Sequence, residues 1–305
     1  MNPFFSIIIP TYNRAGLLPV AIESVINQSF KEWELIIVDD GSKDNTRQVV
    51  AGYTDSRIKY IYQDNAERSA ARNNGIKNAL GTYICFLDSD DYYLPDRLEL
   101  LYQYISANNF TENFYYTGIC YNINGVISRR AELKNTHSNI FDFILLAAIG
   151  TPQVCIHQKI LKNNKFNPKY HIGEDMELWL RIVAQTHPVY IDEQFTVMAV
   201  EHSERSVNIK RYNSFIHQLN MLKSVFSENH PGSNVSKTIK HNILSNCYFG
   251  AAKYYIYSGS RANAIMNLVK SIVINPSNNQ TLYRTNILIK LLLPNGIKNA
   301  TNLLE

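Results

Sequence analysis

The sequence predicts an α/β protein with a doubly wound, mixed sheet and an all-helical C-terminal extension. In the first half of the chain, short apolar runs alternate with segments of helical spacing, which is typical of a mostly parallel sheet. After about residue 208 the strand signals stop and only helical spacing remains. Charge changes too: residues 206–305 contain eleven Lys and Arg against two Asp and Glu, a net +9. Because the whole chain carries +4, residues 1–205 carry −5, and we expect two domains, 1–205 and 206–305.

The first half of the chain predicts four strands joined by helices. Each apolar run is four or five residues long, as in strands buried in a parallel sheet. Asp44 can cap one of the helices between them, and Gly81 stands where another would end in a left-handed residue. Strands are expected at residues 5–9, 35–38, 58–62 and 83–87, and helices at residues 17–28, 44–51 and 67–79.

The rest of the first domain predicts a mixture of helices and strands. Such a second half on a parallel first half is common in large α/β domains. The first two strands of this part lie close enough along the chain to form an antiparallel pair. Helices are expected at residues 95–108, 141–149 and 176–184, and strands at residues 114–120, 125–128, 153–157 and 195–200.

The second domain, residues 206–305, predicts three or four helices. Residues 247–276 resemble one tetratricopeptide unit, with small residues in the first helix and Gly259 at the turn. A repeat array needs about three units to be stable, so we expect a packed helical tail instead. The helices are expected at residues 212–226, 236–258, 261–274 and 280–292.

Composition favours a globular cytoplasmic protein. The apolar fraction of 45% and the charged fraction of 18% are ordinary for a soluble domain. No apolar run is long enough to span a bilayer, and the first residues lack the pattern of a secretory signal. The four cysteines form no C-x-x-C pair, which favours reduced, buried thiols over a zinc site.

The most informative motif is Asp88-Ser89-Asp90, directly after the apolar run at residues 83–87. Open α/β sheets bind ligands at the carboxyl ends of their strands. Two carboxylates at i and i+2 in that position are costly unless a cation neutralises them, and a hard divalent ion that bridges to phosphate is the usual partner. The motif predicts a site for Mn²⁺ or Mg²⁺ and a phosphorylated ligand.

Two turns on neighbouring strands offer groups for a nucleotide. The turn after the first strand contains no glycine-rich loop, which disfavours dinucleotide and P-loop folds, but it offers a hydroxyl, an aromatic ring and a cation. The turn after the second strand offers carboxylates that can accept from a base or a ribose hydroxyl, with Gly41 for close backbone approach. Ordinary polar turns are the alternative. The residues concerned are Pro10, Thr11, Tyr12, Arg14, Asp39 and Asp40.

The helix at residues 67–79 adds two arginines. Arg68 and Arg72 are four residues apart and share a face, which could aim guanidinium groups at a pyrophosphate. The alternative is solvated surface arginine. Of the two, we expect Arg72 to be the functional one.

These motifs together resemble family 2 inverting glycosyltransferases. The resemblance is carried, in the family's order, by Phe5-Ser6-Ile7-Ile8-Ile9-Pro10-Thr11-Tyr12-Asn13-Arg14, Ile37-Val38-Asp39-Asp40-Gly41-Ser42, Ala71-Arg72-Asn73-Asn74-Gly75 and Phe86-Leu87-Asp88-Ser89-Asp90-Asp91. It covers roughly residues 4–205. It implies a GT-A fold, a nucleotide-sugar donor for which we expect a UDP-sugar, and single-displacement chemistry that inverts the anomeric centre.

The resemblance also implies roles for individual residues. The opening turn and Asp39 resemble the family's nucleoside contacts, and Asp88 and Ser89 join the nucleotide site. Asp90, with Asp88 nearby, resembles the metal and diphosphate site. His202 resembles a third metal ligand or a diphosphate contact, with plain surface histidine as the alternative.

A later segment supplies a candidate base. Gly173-Glu174-Asp175-Met176 resembles the family's E-D segment before a helix, which makes Asp175 the general base. A base must take the proton of an acceptor hydroxyl as its oxygen attacks the anomeric carbon, and a helix N-terminus stabilises the charged carboxylate. The alternative is that Glu174 and Asp175 only cap the helix. Trp179 belongs either to the core or to a wall of the acceptor pocket.

Other functions remain open at this point. A nucleotidyltransferase usually needs a glycine-rich loop after the first strand, and a non-catalytic nucleotide-binding scaffold would not need the full set of carboxylates. The scattered basic residues argue against nucleic-acid binding. We expect a saccharide or lipid-linked saccharide acceptor in cell-surface polysaccharide or glycolipid assembly. The basic C-terminal helices, including the apolar run at residues 287–294, could contact the inner face of the membrane. The alternative is a helix that docks on the protein, with the lysines on a solvated face.

Overall fold

The computed structural model describes residues 3–123, 125–129, 138–200 and 214–304. The chain divides into two compact units, Met1–Arg205 and Ser206–Glu305. We call them the first unit and the helical unit.

A mixed sheet forms the centre of the first unit. In the described residues its order is β3-β2-β1-β4-β8-β6-β9-β5, with β7 paired to β6. The side from β3 to β4 is parallel, β8 runs antiparallel to both β4 and β6, and β6 and β9 are parallel. The strands are β1 (Phe5–Thr11), β2 (Trp33–Asp39), β3 (Ile58–Tyr62), β4 (Tyr83–Phe86), β5 (Tyr92–Tyr93), β6 (Phe114–Ile123), β7 (Val126–Arg129), β8 (Val154–His157) and β9 (Val189–Val200).

Helices complete the first unit. Strands β1, β2 and β4 are buried along their whole length, which explains their nearly continuous apolar sequences. Helix α1 turns its predicted apolar face inward. The helices are α1 (Leu18–Ile26), α2 (Thr46–Ala51), α3 (Glu67–Asn78), α4 (Arg97–Ala107), α5 (Ile140–Ala147), α6 (Gln158–Asn163) and α7 (Glu174–Val183). The predicted doubly wound mixed sheet, with a parallel first half, is confirmed.

Gly81 has a different role from the predicted one. Helix α3 ends at Asn78, its C-cap Ala79 is extended, and Gly81 is not among the glycines with positive φ. A Cβ at Gly81 would lie 2.6 Å from the backbone N of Ser6 and 2.7 Å from the carbonyl carbon of Phe5. The prediction of a left-handed cap was wrong: Gly81 allows the backbone to pass close to the start of β1.

Two short elements and the start of one long strand escaped the sequence pattern. Strand β5 has only two residues, Tyr92–Tyr93, and exists because it pairs with β9. Helix α6 has six residues, too few for a helical period to be visible. Strand β9 begins at Val189, six residues before the predicted start.

The helical unit has its own core. Helix α9 contributes Phe249, Ala252 and Ile256, against which Leu268 and Leu291 are buried with their neighbours. The described residues hold five helices, one more than predicted. They are α8 (Ser214–Val225), α9 (Lys237–Tyr257), α10 (Arg261–Ile274), α11 (Thr281–Leu292) and α12 (Gly296–Leu304).

Two findings bear on membrane contact and on cysteine chemistry. Within the described ranges, no helix combines the length and apolar character needed to cross a bilayer. The apolar run at residues 287–294 is not one continuous surface, since Ile287 and Leu291 are fully buried while Ile289 is 52% exposed. All four cysteines are free and buried, as predicted.

Candidate active site

The parallel half of the sheet brings three predicted motifs to one edge. Strand β1 lies between β2 and β4 and runs parallel to both, so their carboxyl ends meet at the same edge. Thr11 and Asp39 are register partners at the ends of β1 and β2. Asp88 and Asp90 follow β4 on the other side of β1. Residues that are far apart in sequence therefore lie on adjacent strand ends.

Asp39 is held at the end of β2 by two donors. Its Oδ1 accepts from the backbone N of Ser42 at 2.8 Å, and its Oδ2 accepts from the hydroxyl of Tyr60 at 2.6 Å. Burial and the bond to Asp39 raise the pKa of Tyr60, so its hydroxyl stays protonated. A carboxylate has about four acceptor sites. Asp39 can therefore still accept from a ligand while remaining fixed in place.

Beside Asp39, Thr11 carries a buried hydroxyl that has no hydrogen-bond partner among the residues that the structure describes. Buried polar groups are nearly always paired, so an unpaired one needs an explanation. A bound ligand at the end of β1 would supply the missing partner.

The loop after β1 is braced by the loop after β2. Asn13 has a positive φ of 51°, its backbone N donates to the Ser42 hydroxyl, and its side chain accepts from the backbone N of Lys43. Asp44 accepts from the backbone N of Ala15 at 3.0 Å and from that of Thr46, the first residue of α2, but the N-cap position of α2 is Asn45 and not Asp44 as predicted. This bracing leaves the ring of Tyr12 46% exposed and able to stack on a planar ligand.

Asp40 performs a structural task. Its Oδ1 accepts from the side chain of Gln63 at 2.6 Å and from the backbone N of Ala66 at 2.9 Å. These bonds fix the loop that leads into α3. A Cβ at Gly41, whose φ is 83°, would lie 2.9 Å from the backbone N of Asn65. The close approach expected at Gly41 is therefore to this loop.

The four residues after Leu87 alternate in exposure. Asp88 is half-exposed and Asp90 also reaches solvent, whereas Ser89 and Asp91 are buried. The Oδ1 of Asp91 accepts from the backbone N of Val200 at 3.1 Å, which anchors the segment to β9. The alternation places Asp88 and Asp90 on the open side of the segment.

Arg72 joins this segment to α7. Its Nη2 donates to Asp88 Oδ1 at 2.9 Å and its Nη1 donates to Glu174 Oε1 at 2.8 Å. Burial opposes the charge of Arg72, but Asp88 and Glu174 outweigh it, and the pKa of Arg72 lies above its usual value. The side chain of Arg72 is 4% exposed, so the alternative of a solvated surface arginine does not hold for Arg72. Arg68 lies farther out, with its Nε 4.0 Å from Glu174 Oε1.

The two residues after Arg72 bind two further segments. The Asn73 side chain donates to the carbonyl of Phe166 and accepts from its backbone N. Asn74 donates to the side chain of Gln63 at 2.8 Å. Three consecutive side chains of α3 thus hold four separate parts of the site together, and Arg72 is the one that reaches two of them.

Asp175 lies in the first turn of α7, next to Glu174. The helix follows Gly173, whose φ is 76°, and Asp175 Oδ1 accepts from the backbone N of Met176 at 2.8 Å. Burial and the neighbouring charge of Glu174 raise the pKa of Asp175 to about 7, against the lowering effects of the Met176 bond and Arg72. A carboxylate with this pKa can take up a proton near neutral pH.

Other residues around α7 belong to the scaffold. Trp179 is fully buried and donates its Nε1 proton to the carbonyl of Ile149, so it forms part of the core rather than a pocket wall. Glu177 is ion-paired with Arg181 one turn further along the helix. Both residues fix the position of α7.

The donor set of Asp88 and Asp90 fits a hard divalent cation. Both are oxygen ligands, and Mg²⁺ is commonly held by one or two carboxylates together with substrate phosphates. One oxygen of Asp88 is engaged by Arg72, and among the described residues no group of three or more His, Cys, Asp or Glu forms a complete metal site. His202 lies outside the described residues.

Glu174 is the site residue that sequence reasoning missed. It was considered only as a cap of α7, but its carboxylate is buried and paired with Arg72. A buried carboxylate needs a buried cation to balance its charge. Of Arg68 and Arg72, Arg72 was the one predicted to have a function. Their pairing across 102 positions is a tertiary contact that no local pattern reveals.

Comparisons with known proteins identify the family of this chain. Residues 6–162, just over half of the chain, match the model of glycosyl transferase family 2. The chain is 32% identical over 233 residues to the Escherichia coli UDP-Glc:alpha-D-GlcNAc-diphosphoundecaprenol beta-1,3-glucosyltransferase WfgD, covering 71% of this chain and 84% of WfgD. It is 35% identical over 202 residues to an uncharacterized glycosyltransferase of Rickettsia conorii. That match covers 64% of this chain but only 32% of the Rickettsia protein.

A solved structure supports the fold. The crystal structure of S. aureus TarS 1-349 in complex with UDP-GlcNAc aligns with a TM-score of 0.64 at 19% identity, covering 98% of this chain and 90% of that chain. The architecture is the GT-A type that the sequence predicts. Through its matched motifs and this fold, the chain belongs to glycosyl transferase family 2.

Proposed function

We propose that this protein transfers one sugar from a UDP-sugar to an acceptor hydroxyl with inversion at the anomeric carbon. The observation that carries the proposal is the Arg72 bridge. It ties Asp88, at the nucleotide edge of the sheet, to Glu174, the neighbour of Asp175. This bridge supports the proposal because it joins the candidate nucleotide edge to the segment that carries the candidate base.

The nucleotide end of the donor would lie along the edge formed by β2, β1 and β4. Asp39 accepts from the uracil N3–H or a ribose hydroxyl, and the unpaired hydroxyl of Thr11 lies beside it. The exposed ring of Tyr12 offers a stacking surface, and Arg14 follows in the same loop. Pro10 continues β1 into this turn, and Ser89 adds a hydroxyl beside Asp88.

Asp88 and Asp90 would hold the divalent cation, Mn²⁺ or Mg²⁺. Bound there, the cation would neutralise charge that builds on the diphosphate as the sugar departs. Arg72 takes a supporting role in this scheme. Its side chain is 4% exposed and donates to the carboxylates of Asp88 and Glu174, which supports a role in orienting Asp88 over direct contact with the pyrophosphate.

The chemical step is a single displacement. The acceptor oxygen forms a bond to the anomeric carbon, the bond from that carbon to the phosphate oxygen breaks, and UDP leaves with the bonding electrons. The hydroxyl proton would pass to the carboxylate of Asp175, because the base of a single displacement must act on the side opposite the leaving group. The raised pKa of Asp175 suits this transfer at neutral pH.

The acceptor we propose is a lipid-linked saccharide. Support comes from WfgD, which is named for an acceptor joined to diphosphoundecaprenol. Such an acceptor places the reaction at the cytoplasmic face of a membrane in polysaccharide or glycolipid assembly.

The first test compares donor turnover by the natural protein with turnover by a variant that lacks the proposed base. Slow hydrolysis of UDP-glucose, UDP-galactose and UDP-GlcNAc identifies the donor, because water can replace the acceptor. We expect Asp175→Asn to lower turnover by about 10²–10⁴-fold while leaving UDP affinity unchanged, since general-base catalysis contributes that much. Proton NMR of the released sugar reports whether the anomeric centre inverts.

The matched control is Asp96→Asn, which removes an exposed carboxylate of the same unit. It should hydrolyse the donor at the rate of the natural protein. Near-normal turnover by Asp175→Asn, or a retained anomeric configuration, would remove Asp175 from the role of base.

A further inference from the structure

Helix α10 turns an apolar stripe toward solvent. Met266 is 46% exposed, Val269 is 41% exposed and Val273 is 70% exposed. Their spacing of three and four residues places them on one face, opposite the buried Ala264 and Leu268. The buried side already supplies the packing of α10, so the outer stripe has no stabilising task within the helical unit.

Helix α11 has the same organisation. Leu282 is 82% exposed and Ile289 is 52% exposed, and the two lie seven residues apart on one side of the helix. Leu293, 46% exposed, extends this side just past the end of α11. Ile287 and Leu291 are buried on the opposite side.

The two helices are antiparallel neighbours. Arg261, at the start of α10, donates from its Nε to the carbonyl of Leu291 at the end of α11, at 2.6 Å. At the other end, Arg284 of α11 donates from its Nη1 to the hydroxyl of Ser271 at 2.8 Å. The outward stripes therefore lie on two helices that run side by side.

The charge around these stripes has one sign. Residues 261–304 contain five basic residues and no Asp or Glu. Four of the basic residues are exposed, and the fifth, Arg284, is buried. The exposed ones are Arg261, Lys270, Lys290 and Lys298. The two helices thus expose large apolar side chains and positive charges, and no acid stands among residues 261–304. Such a surface is complementary to an anionic surface that also accepts apolar groups.

We propose that the outer faces of α10 and α11, the docking surface, bind an anionic lipid bilayer. A bilayer interface binds both kinds of side chain. Apolar side chains enter the region below the head groups, and lysines contact the anionic head groups above it. The binding is peripheral, since each helix keeps its other face in the protein core. A lipid-linked acceptor, as in the proposed function, would be encountered at the same interface.

The test is flotation of the full chain with vesicles of phosphatidylglycerol and phosphatidylethanolamine, without donor or acceptor. The variant Val269→Gln/Val273→Gln/Ile289→Gln should lower the partition coefficient by at least tenfold. Lys270→Gln/Lys290→Gln should lower it by about fivefold per charge on anionic vesicles, and 0.5 M salt should remove that difference.

The matched control is Val20→Gln/Leu80→Gln, which removes two apolar residues of the first unit that are 55% and 57% exposed. It should bind vesicles as the natural protein does. Circular dichroism melting shows that each variant is folded.

Three results would overturn the proposal. They are failure of the natural protein to float with anionic vesicles, equal binding to pure phosphatidylcholine, and undiminished binding of the triple variant. If the triple variant changes the sedimentation mass but not vesicle binding, the surface joins two copies of the chain and the proposal is also wrong. Because no sugar transfer is measured, this result stands apart from that of the proposed function.

Discussion

Arg72 is the residue on which the candidate active site depends. Arg72 is buried, and the carboxylates of Asp88 and Glu174 balance its charge from two different segments. Removing either acid would leave charge unpaired in a poorly solvated place. The contacts among Asp88, Arg72 and Glu174 therefore fix the distance between the end of β4 and the start of α7. The proposed cation ligands and the proposed base lie on these two segments.

The charge of Glu174 should set the pH at which Asp175 becomes a base. The pKa of Asp175 is raised to about 7, so kcat/KM should increase with pH through 7 as the carboxylate loses its proton. Glu174→Gln removes a neighbouring negative charge and frees Arg72, and both effects lower the pKa of Asp175. We expect the rising limb of the pH–rate profile to move down by about one unit.

The control for this profile is Glu177→Gln, on the same helix and also paired with an arginine. It should leave the rising limb in place, even if it lowers the melting temperature. A profile that stays fixed in Glu174→Gln would show that Glu174 does not govern the ionisation of Asp175.

Individual site residues differed in how far sequence alone could predict them. Asp39, Asp88 and Asp90 follow apolar strands, and position after a strand is a local property. Asp175 was predicted from resemblance and Glu174 was not assigned a role, because its importance comes from a partner 102 positions away. The roles of Asp40 and Arg72 as bracing residues also depend on contacts that no spacing reveals.

At the scale of elements, α3 is the piece that organises the first unit. Its Arg72, Asn73 and Asn74 hold neighbouring segments, and Gly75 lets the helix press against β1. A Cβ at Gly75 would lie 2.4 Å from Cγ2 of Ile8, which is itself fully buried in β1. The three side chains that hold neighbouring segments and the glycine that lets α3 pack on β1 are thus four consecutive residues.

Gly75→Ala should destabilise the protein despite the higher helix propensity of alanine. The added methyl group must displace Ile8 or lift α3, which costs about 1–3 kcal/mol as overpacking does elsewhere. Urea unfolding followed by circular dichroism measures the loss.

Gly16→Ala is the control for that substitution, because a Cβ there meets nothing within 4 Å. Its unfolding free energy should stay within about 0.5 kcal/mol of that of the natural protein. Equal stability of Gly75→Ala and Gly16→Ala would show that α3 and β1 are not in tight contact.

Among the elements, periodicity predicted the long ones and missed the short ones. Helix α10 begins and ends where predicted, and β3 does as well. Strand β5 and helix α6 have two and six residues, so their existence depends on partners rather than on their own sequence. The role of Gly81 could not be predicted for the same reason, because the backbone that it approaches, at Ser6, belongs to β1.

At the scale of the molecule, the proposed donor site draws on several strands and one helix of the first unit. In this proposal the nucleoside would contact the ends of β1 and β2, and the cation would contact the segment after β4. If this assembly binds a diphosphate through Asp88 and Asp90, nucleotide affinity must depend on the cation.

Calorimetry with UDP tests this dependence. We expect UDP to bind at least tenfold more tightly with Mn²⁺ than with EDTA, because the cation bridges carboxylate and diphosphate oxygens. Asp90→Asn should lose most of that gain and keep the affinity measured in EDTA. Asp64→Asn, which changes an exposed carboxylate before α3, should behave as the natural protein does. Equal affinities with and without Mn²⁺ in the natural protein would contradict the cation site.

The class of fold, the order of most elements and the acidic strand ends could be predicted from the amino-acid sequence, because they follow from the hydrophobic period and from residue types at neighbouring positions. The charge contrast between residues 1–205 and 206–305 is also visible there. The bridge from Asp88 through Arg72 to Glu174, the burial of Trp179 and the outward apolar residues of α10 and α11 became known from the folded chain. Burial and ion pairing arise when distant segments meet, whereas a linear pattern records only neighbours.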